Sequence, residues 1–123
     1  MRKILYEFIE APAFSRYVKS YLDDEELGEV QEALIANPDA GDPIPESGGL
    51  RKLRWQDKRR GKGKRGGLRI IYYAFLSESE IWLMTLYSKD EMDDLTKPEL
   101  RVLGNLIHTE KAAREKAKRK GPK

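Results

Sequence analysis

A small α+β domain is the fold class this sequence predicts, on three observations. A short β-rich segment is followed by two amphipathic helical stretches. Three further strand-like segments then follow one another through short connections. One more helical pattern closes the chain. The resulting order is β-α-α-β-β-β-α. Sequential strands joined this closely favour a small antiparallel sheet with the helices packed on one face. The 123 residues suffice for one modest core. Residues 1–110 read as a single domain and residues 111–123 as a basic C-terminal tail, with no repeat or internal linker.

Each element has a local reason. Residues 3–9 are β-branched and aromatic, the composition of a strand, and Ala11-Pro12 breaks it. Phe14, Tyr17, Val18, Tyr21 and Leu22 recur at helical spacing. Asp23 or Asp24 caps a second helix whose stripe is Leu27, Val30, Leu34 and Ile35. That helix ends near Asn37-Pro38, because a residue before proline resists the α region. Residues 39–49 form a Gly- and Pro-rich loop.

In residues 50–56, Leu53 and Trp55 alternate against Lys52 and Arg54. Residues 58–67 form a basic glycine-rich loop. Residues 68–76 are apolar on both faces, as a central strand requires. Residues 81–88 make the last strand, with Tyr87 expected to alternate away from Trp82, Met84 and Leu86. Thr96-Lys97-Pro98-Glu99 is a capping box with proline in the first turn, opening a helix that carries Leu100, Leu103, Leu106 and Ile107. The basic residues after 111 read as a frayed extension of it.

Composition excludes several chemistries. There is no cysteine, so disulfides, thiol catalysis and cysteine metal sites are ruled out. The single histidine, His108, makes a catalytic triad or a histidine metal cluster a poor fit, so no metal or other cofactor is expected. The acids Asp90, Glu91, Asp93 and Asp94 read as a loop before a helix N-terminus rather than as a metal site. No apolar run reaches transmembrane length, and the first residues carry no signal-peptide pattern, so the expected compartment is the cytoplasm.

The net charge of +3 conceals strong segregation. Residues 20–47 hold nine acids and no Lys or Arg, whereas residues 51–73 hold ten Lys or Arg and one acid. Such blocks point to a polyanionic partner at the basic surface, or to acidic and basic parts that pair with each other. The loop is not a nucleotide P-loop: Gly61 and Gly66 have the spacing, but Gly67 and Leu68 stand where Lys and Ser or Thr are required. It suits a nucleic-acid backbone better, since glycines permit close approach while cations neutralise phosphates.

Arg69 interrupts an otherwise apolar central strand. It needs either an internal partner or an anionic ligand, and the sequence leaves both open.

Three blocks are recognisable. They are Gly48-Gly49-Leu50-Arg51-Lys52-Leu53-Arg54, then Gly63-Lys64-Arg65-Gly66-Gly67-Leu68-Arg69-Ile70-Ile71-Tyr72-Tyr73, then Leu86-Tyr87-Ser88-Lys89-Asp90-Glu91-Met92-Asp93-Asp94-Leu95. Together, over residues 48–95, they resemble the HigB branch of the RelE toxin superfamily. The resemblance implies a microbial-RNase-like α+β fold. It implies the toxin of a type II toxin–antitoxin pair, which cleaves mRNA on the ribosome without metal by attack of the RNA 2′-hydroxyl. It implies a helix-turn-helix antitoxin of the HigA kind as partner.

Carried onto this sequence, it makes Lys52, Arg54 and Arg69 phosphate-stabilising residues. Tyr87 and Lys89 become candidates for base stacking or acid–base work. Arg51, Lys58, Arg59, Arg60, Lys62, Lys64 and Arg65 are expected to grip RNA. The pattern departs from its relatives where Asp90 follows Lys89, where no aromatic residue follows Tyr87, and where His108 lies beyond the matching block. The acid and base therefore stay open, with Glu91 a further candidate base. The alternative reading is a noncatalytic RNA- or ribosome-binding protein of the same fold.

Overall fold

The computed structural model describes residues 5–61, 63 and 67–120. Strand β1 (Glu7–Glu10) leads through Ala11 into helix α1 (Pro12–Tyr21), and helix α2 (Asp24–Ala36) follows. A two-residue strand β2 (Asp42–Pro43) precedes β3 (Arg51–Trp55), β4 (Leu68–Phe75) and β5 (Glu80–Ser88). Helix α3 (Lys97–Lys120) ends the chain. The five strands form one sheet in the order β1-β5-β4-β3-β2.

The caps behave as the sequence requires. Asp23 accepts from the Glu26 amide at 2.8 Å while Glu26 accepts from the Asp23 amide at 3.1 Å, closing a capping box at α2. Thr96 and Glu99 exchange the same pair of bonds at the start of α3. In each case two otherwise orphaned helix N–H groups are satisfied.

The α+β class is as expected; the element order gains one strand, the two-residue β2 within the Gly- and Pro-rich loop, and three further details differ. The sheet is mixed, because β1 runs parallel to β5 with Phe8 opposite Ile81. A parallel neighbour requires a crossover, and α1 through β4 supply it.

The helices do not share a face. Phe14, Val18, Val30 and Leu34 of α1 and α2 pack with Leu53, Leu68, Ile70, Tyr72 and Leu83. Leu103 and Ile107 of α3 pack on the opposite face with Ile71, Phe75, Met84 and Tyr87. The apolar character of both faces of β4 is what demands cover on each side. Helix α3 also continues through Lys120, so residues 111–120 are helical.

The third difference is a register shift. Ile71 faces Thr85 but Tyr72 faces Leu83, which leaves Met84 without an opposite residue. This bulge breaks the alternation of β5. Leu86 turns to the α1/α2 face, and Tyr87 joins Met84 on the α3 face.

Two further contacts position the molecule's ends. The buried Tyr72 hydroxyl accepts from the Gly41 amide at 2.9 Å and donates to the Pro38 carbonyl at 2.6 Å, which pins the loop after α2 to the sheet. Arg114 holds the distal part of α3 down. Its guanidinium lies 3.9 Å from the Phe75 ring centroid and pairs with Glu80, Glu110 and Glu78.

Candidate functional site

The antiparallel pairing of β3, β4 and β5 sets Arg54 opposite Arg69 and Arg69 opposite Tyr87. Directly opposed residues share a face with Cα atoms about 4.5–5.5 Å apart. Lys52, two residues before Arg54, lies on the same face. The strands thus bring together four of the five residues expected to carry chemistry. Without the bulge at Met84, Tyr87 would not stand on the Trp82–Met84 face at all, so the row depends on it.

The row has a floor and a rim. Arg69 and Tyr87 are both 4% exposed, while Arg54 is exposed and Lys52 half-buried. Arg69 Nη1 donates to the Leu68 carbonyl at 3.1 Å, one of the guanidinium's internal contacts. Its charge therefore underlies the site rather than projecting from it. The Tyr87 hydroxyl donates to Asp94 Oδ1 at 3.2 Å, and Lys52 Nζ stands 3.6 Å from the same oxygen. Burial first, then the Asp94 charge and hydrogen bond, push the Tyr87 hydroxyl far above its ordinary pKa. It stays a proton-bearing donor at neutral pH.

Lys89, the fifth residue, lies one position past β5 with an exposed side chain. Its amide donates to the Gly67 carbonyl at 3.0 Å, which fastens the start of the β5–α3 connection to the base of the basic loop. Gly67 is buried there, and a Cβ at this position would collide with the Trp55 and Gly63 carbonyls. This is the close backbone approach for which glycine is needed.

The residues expected to grip RNA divide into two groups. Lys62, Lys64 and Arg65 lie outside the described residues. The others are engaged by the protein itself. Lys58 pairs with Glu29 of α2 at 3.2 Å, and Arg59 donates to the Lys19 carbonyl at 3.0 Å. Arg60 donates to Ser88 at 3.0 Å and pairs with Glu91 at 3.1 Å. Arg51 reaches the Gly41 carbonyl at 2.7 Å and Asp39 at 3.4 Å. The acidic and basic blocks of the sequence thus partly neutralise each other, and the stem of the basic loop is strapped to α1, α2 and the β5–α3 connection.

Glu91, the further candidate base, also accepts from Tyr21 at 2.9 Å, and the two line a cavity of about 250 Å³ together with Tyr87. His108 is exposed on α3 beside a cavity of about 350 Å³ formed with Ser47, Gly48, Gly104 and Asn105, outside the row. Asp94 is the site residue that sequence reasoning placed only among loop acids. Its signal was its position two residues before the Thr96 cap, which fixes where its backbone must point.

Among the described residues, no group of three or more His, Asp or Glu side chains is placed to hold a metal ion. Nor is any described helix long and apolar enough to cross a membrane.

The site thus sits on a mixed five-stranded sheet with helices on both faces, an α+β fold shared with a solved structure. It is similar to the conserved hypothetical protein HP0892 from Helicobacter pylori, solved in solution. The TM-score is 0.52 at 16% identity, over 72% of this chain and 99% of that one. The archaeal RelE–RelB complex from Pyrococcus horikoshii OT3 also matches, with a TM-score of 0.45 at 17% identity, over 68% of this chain and 94% of that one. No family model matches the chain.

Proposed function

We propose that this chain is the toxin of a type II toxin–antitoxin pair, a metal-independent endoribonuclease of the HigB kind that cuts mRNA on the translating ribosome. The observation that carries the reading is the cationic row. Residues from three separate blocks of the resemblance, Lys52 and Arg54, Arg69, and Tyr87, converge on one face through the strand register.

Cleavage of RNA by its own 2′-hydroxyl needs little covalent help from a protein. The 2′-oxygen attacks phosphorus and surrenders its proton, and the P–O5′ bond breaks. The departing 5′-oxygen takes a proton, leaving a 2′,3′-cyclic phosphate and a 5′-hydroxyl. The crowded phosphate gains negative charge on the way, and preorganised cations stabilise that charge. Arg54 and Lys52 stand at the rim where a phosphate arrives, and the Arg69 charge backs them from beneath. Lys89 borders the same patch. The loop cations Lys62, Lys64 and Arg65 are the further candidates to grip RNA backbone.

The toxin reading brings its partners with it: a helix-turn-helix antitoxin of the HigA kind that neutralises the protein, the ribosome as the place of action, and hence the cytoplasm. The burial of Arg69 and Tyr87 is the one observation that favours the alternative, a noncatalytic RNA-binding protein on the same scaffold.

Primer extension on a defined mRNA separates the two. The expected result is discrete cuts when the protein meets translating ribosomes, and none when ribosomes are omitted, with EDTA present in a parallel ribosome-free control on pre-folded RNA. Intact mRNA together with protein that still sediments with ribosomes would establish the noncatalytic reading.

A further inference from the structure

Asp94 is the junction of the site. One oxygen, Oδ1, takes the Tyr87 hydroxyl at 3.2 Å, the Lys52 ammonium at 3.6 Å and the amide of Leu95 at 2.9 Å. The two side chains come from β5 and β3, which are not neighbours in the sheet, since β4 lies between them. A carboxylate that bridges across a strand fixes the separation of its two partners. The Asp94 side chain is 66% exposed, and its backbone belongs to the connection that enters α3 through the Thr96–Glu99 capping box. The positive end of that helix also favours a carboxylate there.

We propose that Asp94 is a positioning residue for the ribonuclease site, holding Lys52 and Tyr87 in one pair. The proposal rests on the ribonuclease reading and extends it to the division of roles. Lys52, held against the Asp94 carboxylate at 3.6 Å, serves as a phosphate-stabilising charge and not as the base. Tyr87 has its proton committed to Asp94, and a phenolate at that place would face a carboxylate 3.2 Å away. It therefore does not accept the 2′-proton. Desolvation of the ring acts in the same direction.

The obvious opposite role for Asp94 is that of an internal anion that blocks the phosphate seat. The two roles give opposite results when the charge is removed. A positioning residue loses turnover. A blocker gains affinity for RNA.

The test uses the full chain and the variants Asp94→Asn and Asp94→Ala. Asparagine keeps the oxygen that accepts from Tyr87 but loses the charge that holds Lys52. Ribosome-dependent cleavage is resolved into kcat and KM, and binding is measured with a 2′-O-methyl RNA that cannot be cut. The amine reactivity of Lys52 is followed by acetic anhydride labelling and peptide mass spectrometry.

The expected result is a kcat about 100-fold lower for Asp94→Ala, the usual effect of a misplaced reacting group. A smaller loss is expected for Asp94→Asn, with little change in KM and several-fold faster labelling of Lys52 in both. Tighter binding of the uncleavable RNA with unchanged kcat overturns the proposal in favour of a blocker. Unchanged Lys52 labelling overturns it as well. If the wild-type protein cuts no RNA under any of these conditions, the ribonuclease reading fails by itself. The labelling then decides the Asp94 pair independently, faster labelling supporting it and unchanged labelling overturning it.

Discussion

Replacing Arg69 by alanine tests the site and the fold at once, and the structure separates the two effects. The guanidinium is 4% exposed and donates to the Leu68 carbonyl at 3.1 Å. Losing a hydrogen bond from a charged donor costs roughly 1.5–3 kcal/mol. Against this, Arg54 stands directly opposite, and relief of a like-charge cross-strand pair returns about 0.2–1 kcal/mol. The net loss is about 0.5–3 kcal/mol, a fall in Tm of roughly 2–12 °C for a chain of this size. A domain with about 5–15 kcal/mol of stability stays folded at 25 °C after such a loss.

Catalysis responds on a larger scale. Removal of one charge-stabilising group from a reacting centre costs about 10²–10³ in rate. The measurement is primer extension at 25 °C, with circular dichroism on the same samples to show that the variant is folded. A cut pattern and rate close to wild type, with the melting shift present, would refute the assignment of Arg69 to the site and leave it a structural arginine. Arg69→Lys, which restores a charge but not the fork, is expected to recover part of the rate only.

Two further outcomes follow from the packing. Tyr72→Phe strips the bonds to Gly41 and Pro38 and leaves a buried donor and a half-buried acceptor without the hydroxyl, so stability should fall by about 1–3 kcal/mol in urea denaturation, with faster amide exchange at Gly41. Glu80 is held below the ordinary carboxylate range, chiefly by its hydrogen bond to Arg114 and then by that to Trp82. Because the folded pKa is depressed, the stabilisation is fully present above the ordinary carboxylate pKa of about 4.3 and is lost as pH falls below it. Melting of the wild type and of Arg114→Met across this range should show a gap that narrows in acid, while the contact of Arg114 with the Phe75 ring preserves part of it.

Local chemistry explains why most elements were legible in the sequence. The cap at Asp23 or Asp24, the capping box at Thr96, the Asn37-Pro38 stop and the alternation of Lys52 and Arg54 against Leu53 and Trp55 are all decided within a few residues. So is the doubly apolar β4, which requires a central position. The row of Lys52, Arg54 and Arg69 could therefore be anticipated from strand periodicity together with the resemblance.

What could not be read has a common cause, namely that it depends on partners distant in the chain. The parallel seat of β1 beside β5 and the placement of α3 on the far face depend on how layers stack, and an amphipathic pattern does not say against which face it stacks. The bulge at Met84 is a mismatch between two strands, invisible in either alone, yet it turns Tyr87 onto the face that carries Arg54 and Arg69. The pairing of Lys58, Arg59 and Arg60 with groups on α1, α2 and the loop after β5 appears only when the acidic and basic blocks meet in space. Asp94 shows the division most clearly. Its sequence position marks it as one acid among several in a loop, because local patterns set backbone direction but not which side chain a carboxylate will meet. The tertiary structure places its oxygen between a lysine and a tyrosine from two non-adjacent strands, and that placement alone makes it part of the site.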